Sequence, residues 1–342
     1  MICAANCFLL FTRKVPLYYL VVLALVAGIF IFFYTKNAEE VAKQSSNEPT
    51  KRDCDPYIVR LHGYKFVNQL LYAENGCESE EYAGLKQQIT DYINQEKSAG
   101  NLTSASVYIR IYNTCGEWFT VNPDEEYHAS SLLKLPILMT FVRMAELNPS
   151  ILNKEVKFTG EKTSTLTQKI VSKQLIKGQT YTIGELLSYL IEYSDNNALM
   201  LLYNYHDPVV YKEIYTDLGL PYHEDASQGP ATVNVKDYSV LLRVLYNGTY
   251  LSVQSSEYAL ELLSKSDFKD GLKKGLPDSI PIAHKFGEYY DQNSCQLHES
   301  GIVYAPKHNY VITVMTKGKD MKQLSNVLGD ISKMVYEDIS VQ

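Results

Sequence analysis

The chain is 342 residues long, 46% hydrophobic and 21% charged, with a formal net charge of −7. This is ordinary globular composition, enough for one large domain or two small ones. The acidic balance argues against a nucleic-acid partner, which calls for a basic face.

Residues 1–16 form a short segment expected in the cytoplasm. Residues 17–34, LYYLVVLALVAGIFIFFY, contain no charge and no proline. At ~1.5 Å per residue such a run reaches roughly 27 Å, close to the thickness of a bilayer's hydrocarbon layer. Arg13 and Lys14 precede the run, whereas Lys36 follows it with Glu39 and Glu40 just beyond. The more basic flank stays inside, so the bulk of the chain is expected outside the cytoplasm; Tyr18, Tyr19 and Tyr34 fall at interfacial positions. A cleaved signal peptide is the rival reading. The sequence after the run, TKNAEEVAK, offers no close small-x-small cleavage site, so a single-pass signal-anchor is expected.

Cys3 and Cys7 precede the anchor; Cys54, Cys77, Cys115 and Cys295 follow it, in a compartment where disulfides persist. Spacing does not choose among their pairings, and all could equally be free thiols. No CxxC or His/Cys cluster suggests a metal, and no cofactor is expected.

Residues 35–79 read as a polar juxtamembrane tether followed by an extended lead-in, and residues 80–342 as the folded domain. A helix is expected over about 80–97. SASVYIRIY, within 103–112, alternates and is rich in β-branched and aromatic residues, and GEWFTV follows a turn at 113–116. Together these read as a hairpin. A helical middle covers roughly 131–265. Strand-like IPIAHKFGEYY, GIVYAP and NYVITVMTKG then precede a last amphipathic helix over about 321–336. Strands at both ends around a helical middle predict an α+β fold. Its five-stranded antiparallel sheet is assembled from both ends of the domain, flanked by helices, with an all-helical half inserted. There is no internal repeat, and the sequons at Asn101 and Asn247 matter only in a glycosylating host.

The segment YHASSLLKLPILMTFVRMAEL carries the chemistry. Ser131 and Lys134 form S-x-x-K where a helix begins, and residues three apart on a helix share a face. The positive end of the helix favours a developing anion at the serine, and a partly desolvated lysine can act as its base. Leu132, Leu135, Ile137, Leu138, Met139, Phe141 and Val142 make the helix apolar almost all round, so it belongs in a core with the serine on the floor of a cleft. S-x-x-K alone is weak: the bland reading of Ser131 is an N-cap, and Ser266 with Lys269 repeats the pattern on what reads as a solvated stretch. Two further elements change this. Ser194-Asp195-Asn196 falls at a helix junction, and His284-Lys285-Phe286-Gly287 lies on the first returning strand. Each alone has a bland reading, a helix cap and a solvated strand lysine. In order, a hydroxyl, an amide and a second amine from separate elements are what acyl transfer to serine needs.

The set S-x-x-K, S-D-N, K-x-G is similar to that of class A β-lactamases and penicillin-binding proteins, and the resemblance extends over roughly residues 80–338. It implies that Ser131 is acylated, Lys134 assists as base, Ser194 relays a proton, and Lys285 attracts a carboxylate. It further implies that Asn196 holds the substrate amide, while Gly287 and the backbone N–H groups of Ser131 and Glu288 line an oxyanion hole. Asp195 would stabilise its turn.

Two departures stand out. The family usually places Thr or Ser between Lys and Gly to help bind a substrate carboxylate; here Phe286 has no hydrogen bond to offer. The glutamate that positions the hydrolytic water, in an E-x-x-L-N context, is missing from GLPYHEDASQGPATVN. Glu224, His223 and His298 are the candidates for that work, although either histidine has a commoner fate in a core or on a surface. The expectation is an extracytoplasmic serine hydrolase acting on a β-lactam or related amide or ester. The alternatives are a D-Ala-D-Ala-type cell-wall peptidase, a β-lactam-binding module that acylates without turnover, and an inactive scaffold. The partners implied are a small-molecule or peptide substrate and the membrane.

Overall fold

The computed structural model describes residues 55–112, 116–160, 168–222 and 232–341. The expected membrane segment, Glu224 and His223 lie outside these residues, as do the other cysteines apart from Cys77 and Cys295.

The lead-in contains a hairpin, β1 (Tyr57–Arg60) and β2 (Leu70–Glu74), paired antiparallel with an irregularity at Val59/Arg60. Helix α1 (Ala83–Ser98) follows, burying Leu85, Ile89 and Ile93 at helical spacing. Strands β3 (Ser104–Ile111) and β4 (Trp118–Val121) form the expected hairpin. After β5 (Tyr127–His128) comes a 3₁₀ turn, Ser130–Leu133, which runs directly into α2 (Lys134–Leu147). Strands β6 (Glu155–Lys157) and β7 (Thr180–Thr182) pair with each other. Helices α3 (Ile183–Glu192), α4 (Asn196–Tyr203) and α5 (Pro208–Asp217) follow, then β8 (Thr232–Val233), which pairs with β5. Helices α6 (Val235–Tyr246) and α7 (Val253–Ser264) complete the middle. Strands β9 (Ile282–Tyr290), β10 (Cys295–Val303) and β11 (Tyr310–Gly318) return before α8 (Met321–Val341).

The main sheet runs β4-β3-β11-β10-β9, antiparallel throughout, so both ends of the domain build it as expected. The middle is less purely helical than its sequence suggests, because two small sheets interrupt it. Strands β3, β9, β10 and β11 are buried almost end to end, since helices cover both sheet faces. Val107, Ile109, Ile312 and Val314 meet Ile89, Leu324, Leu328 and Ile331 of α1 and α8 on one side. Tyr108, Val311 and Met315 join the core of α2, α3, α6 and α7 on the other. Helix α8 continues to Val341 rather than ending near 336, carrying Val335 and Ile339 into the first of these cores. Cys295 is a buried free thiol, whereas Cys77 is disulfide-bonded.

Candidate active site

Lys134 is the first residue of α2, and its side chain is only 1% exposed. It is entombed because the helix around it is apolar, with Leu135, Ile137, Leu138 and Met139 fully buried. Its Nζ lies within hydrogen-bond distance of the Ser194 carbonyl, of Ser194 Oγ at 3.0 Å and of Asn196 Oδ1 at 2.8 Å. Lys285, fully buried on β9, donates from the opposite side to the same Ser194 Oγ at 2.9 Å and to its neighbour's carbonyl, Phe286 O, at 2.8 Å. One hydroxyl is thus held between two amines from different halves of the fold. Desolvation pushes Lys134 down to about 7, against the pull of Asp195 and Glu288. Desolvation, and then the charge on Lys134, holds Lys285 well below the ordinary lysine range.

The local backbone explains how Ser194 reaches this position. Helix α3 starts with a reciprocal capping box, Thr182 with Glu185. It ends before Ser194, whose φ of 54° lies in the left-handed region that normally favours glycine. Asp195 then caps α4, its Oδ1 accepting from Asn197 N at 2.7 Å while Oδ2 accepts from Leu175 N at 2.7 Å. The carboxyl is buried and its pKa raised by desolvation, and it does the structural work expected of it.

Ser131 lies in the 3₁₀ turn that leads into α2 and is part-exposed. The residue preceding it, Ser130, is also left-handed, with φ 49°. Two of the three non-glycine residues with positive φ among those described are therefore at the site, where backbone strain often accompanies function. His128 secures this geometry: its Nδ1 accepts from Ser130 N at 3.2 Å and lies 2.9 Å from Ser130 Oγ, and its ring stacks on Tyr289 at 3.9 Å. Tyr238 OH donates to Leu132 O at 3.0 Å, fixing the turn from α6. No sequence pattern announced either residue. Gly287 lets β9 press against the turn; a Cβ there would meet Leu132 Cγ, Ala129 O and Leu132 N at 3.1–3.2 Å. The chain on either side of Gly287 thus runs beside the turn that bears Ser131.

Glu288 follows Gly287. Its Oε1 accepts from the backbone N–H groups of Lys169 and Ile170 at 2.9 and 3.0 Å, pinning that segment beside the site. Phe286 turns away into the α1/α8 core and stacks on Phe268 at 4.3 Å. His298 is fully buried, its Nδ1 accepting from Thr316 N at 3.2 Å and its Nε2 lying 3.2 Å from Gln296 Oε1. Burial pushes its pKa down to about 3, so it is a neutral core histidine with both nitrogens engaged. The second S-x-x-K is not solvated as its sequence suggested: Ser266 is buried, and Lys269 Nζ donates to the Ser266 carbonyl at 2.6 Å. Among the described residues no group of three or more His, Cys, Asp or Glu is placed to hold a metal ion.

A family model described as "Beta-lactamase enzyme family" matches residues 84–339. The chain is 19% identical over 254 residues to the β-lactamase VEB-1 of Pseudomonas aeruginosa, covering 68% of this chain and 85% of that protein. It is 22% identical over 273 residues to a β-lactamase of Bacteroides uniformis, covering 73% and 92%. Among solved structures it is similar to a PBP-A mutant in acyl-enzyme complex with penicillin G. That match has a TM-score of 0.61 and 21% identity, over 76% of this chain and 97% of that one.

Proposed function

The chain belongs to the β-lactamase enzyme family of serine hydrolases, and from that premise we propose that it opens β-lactams, or a related amide or ester, through an acyl-enzyme on Ser131. The observation that carries this reading is the Ser194 hydroxyl held at 3.0 and 2.9 Å by two buried amines. Neutral Lys134 takes the Ser131 proton as Oγ attacks the carbonyl carbon. The oxyanion is met by the backbone N–H groups of Ser131 and Glu288, beside the glycine that allows their approach. As the C–N bond breaks, Ser194 delivers a proton to the leaving nitrogen and is replenished from Lys134, which holds the proton taken from Ser131. Asn196 orients the substrate amide. Water then releases the acyl group from Ser131. The relatives support this chemistry: two are named β-lactamases, and one is a PBP-A acyl-enzyme with penicillin G.

Incubation with a fluorescent penicillin, followed by timed mass spectrometry of the Ser131 peptide, tests the proposal. Labelling at Ser131 that decays with turnover is expected, with none in Ser131→Ala. A persistent adduct favours the binding module, whereas equal hydrolysis by wild type and Ser131→Ala removes Ser131 from the mechanism. The apolar run at 17–34 and its basic leading flank support an extracytoplasmic, membrane-anchored placement. Retention of the full chain in carbonate-washed membranes is expected; release into the wash would contradict it.

A further inference from the structure

We infer that the tip of the lead-in hairpin is a lipid-contact site that rests in the headgroup layer of an anionic bilayer. The inference rests on the membrane-anchored placement proposed above and adds a second point of contact. Exposed large apolar side chains cluster here: Tyr57, Ile58, Tyr64, Phe66, Val67 and Leu70 all belong to β1, β2 or the loop between them. Phe66 is 89% exposed, Tyr64 59% and Val67 56%. A gathering of this kind marks a surface that something covers.

The hairpin is firmly seated on its other side. Leu71, Tyr72 and Glu74 are buried; Thr249 Oγ1 donates to Leu71 O at 2.6 Å, and Tyr72 OH donates to Leu218 O at 3.2 Å. The loop is closed at its base, where Leu61 N donates to Gln69 O at 2.9 Å and Arg60 Nη1 to Asn68 O at 2.8 Å. The apolar tip is thus presented on a fixed base, and docking it orders little that is not already ordered.

Charge selects the occupant. The whole chain carries a formal charge of −7, yet residues 56–73 hold no Asp or Glu and do hold Arg60, His62 and Lys65. Lys65 Nζ lies 4.9 Å over the Phe66 ring, so cation and aromatic are offered together. Such a tip matches the boundary between anionic headgroups and acyl chains, where aromatic rings bury their apolar bodies and cations meet phosphate. Pairing with the same tip of a second copy would instead bring these cations together. Connectivity points the same way. The proposed anchor ends at residue 34 and β1 begins at Tyr57, so the hairpin is the first described element along the chain from it. The contact goes no deeper than the interface, because the loop's backbone N–H and C=O groups need water or headgroups as partners.

The test uses the full chain in vesicles of about three parts phosphatidylcholine to one part phosphatidylglycerol, with bromine near the headgroup end of the acyl chains. Trp118 is the single tryptophan, 6% exposed, and supplies the background emission. The control, Gln292→Trp, places its ring in the exposed β9–β10 turn. That turn is at the opposite end of the main sheet from Asn309, whose partner Tyr246 lies just before the Thr249 carbonyl that binds Gln69. Bromine is expected to quench Phe66→Trp about twofold or more beyond this control. Adding Lys65→Glu to Phe66→Trp is expected to bring the quenching down toward the control. A carbonate-resistant protein whose Phe66→Trp form is quenched no more than Gln292→Trp overturns the inference and leaves the anchor standing. Release by carbonate together with absent quenching overturns both. A blue-shifted Phe66→Trp emission that bromine leaves untouched would assign the tip to a second copy or another protein, and overturns the lipid contact.

Discussion

At the scale of single residues, the proposed chemistry needs an amine that is neutral near physiological pH. Lys134 reaches that state because α2 encloses it in apolar side chains and desolvation outweighs the nearby carboxylates. A base works only when deprotonated, so acylation should rise with pH and level off above a midpoint at about 7. Lys134→Arg, whose guanidinium stays charged, should abolish that limb and lower acylation by about a hundredfold or more. Stopped-flow acylation rates between pH 5 and 9, a window on the order of two units either side of the midpoint, would check this. A wild-type rate independent of pH across that window would remove Lys134 as the base. Residue types in order were enough to single out Lys134, Ser194, Asn196 and Lys285, which the fold joins by hydrogen bonds; Ser131 was singled out with them as the proposed nucleophile. His128 and Tyr238 were not legible. Their contribution is to hold a turn, and a histidine beside a serine, or a tyrosine on a helix, carries no spacing signal.

At the scale of elements, the lead-in hairpin proves to be fastened to the domain by charge. Glu74 of β2, 3% exposed, pairs with buried Arg243 of α6 and with Lys236 at 3.0 Å; Arg243 Nη2 also donates to Ala73 O at 3.0 Å. Burial alone would raise the Glu74 pKa, but Arg243 and Lys236 more than offset it and hold it below the ordinary value. Its folded pKa is thus lower than its unfolded one. The stabilisation is present above the unfolded value of about 4.3 and is lost as pH falls through the folded value. Glu74→Ala leaves Arg243 buried without its carboxylate and should cost about 3–5 kcal/mol. Urea melts at pH 7 should show this, with the difference from wild type shrinking below about pH 4; a loss below about 1 kcal/mol would mean the pair is solvated. The sequence read this region as an extended lead-in because β1 and β2 are short and Tyr57, Ile58 and Leu70 remain exposed. The main sheet was legible, since β-branched runs at both ends had no other use. Strands β5 to β8, two or three residues each, are set by tertiary pairing and leave no periodicity to read.

At the scale of the molecule, the site lies where two cores meet. Lys134 enters from the helical core and Lys285 from the strand between that core and the one beneath α8. Burying two amines with a shared hydroxyl costs stability, and linkage makes that cost measurable. The Lys134 amine is protonated in the unfolded chain up to about pH 10.4 but in the folded chain only up to about 7. Between those values the unfolded state binds the extra proton, so this group makes the protein more stable as pH rises. The gain is about 1 kcal/mol, or slightly more, for each pH unit. Below pH 7 both states are protonated and the contribution is flat. Lys134→Met removes the titration. Its stability relative to wild type should therefore be greatest at and below about pH 7 and decline steadily toward pH 9.5, while acylation is lost throughout. Paired urea melts of the two proteins across that range decide the matter. A stability difference that does not change with pH would show that the Lys134 ammonium keeps its ordinary affinity for a proton, and the neutral base would have to be sought elsewhere.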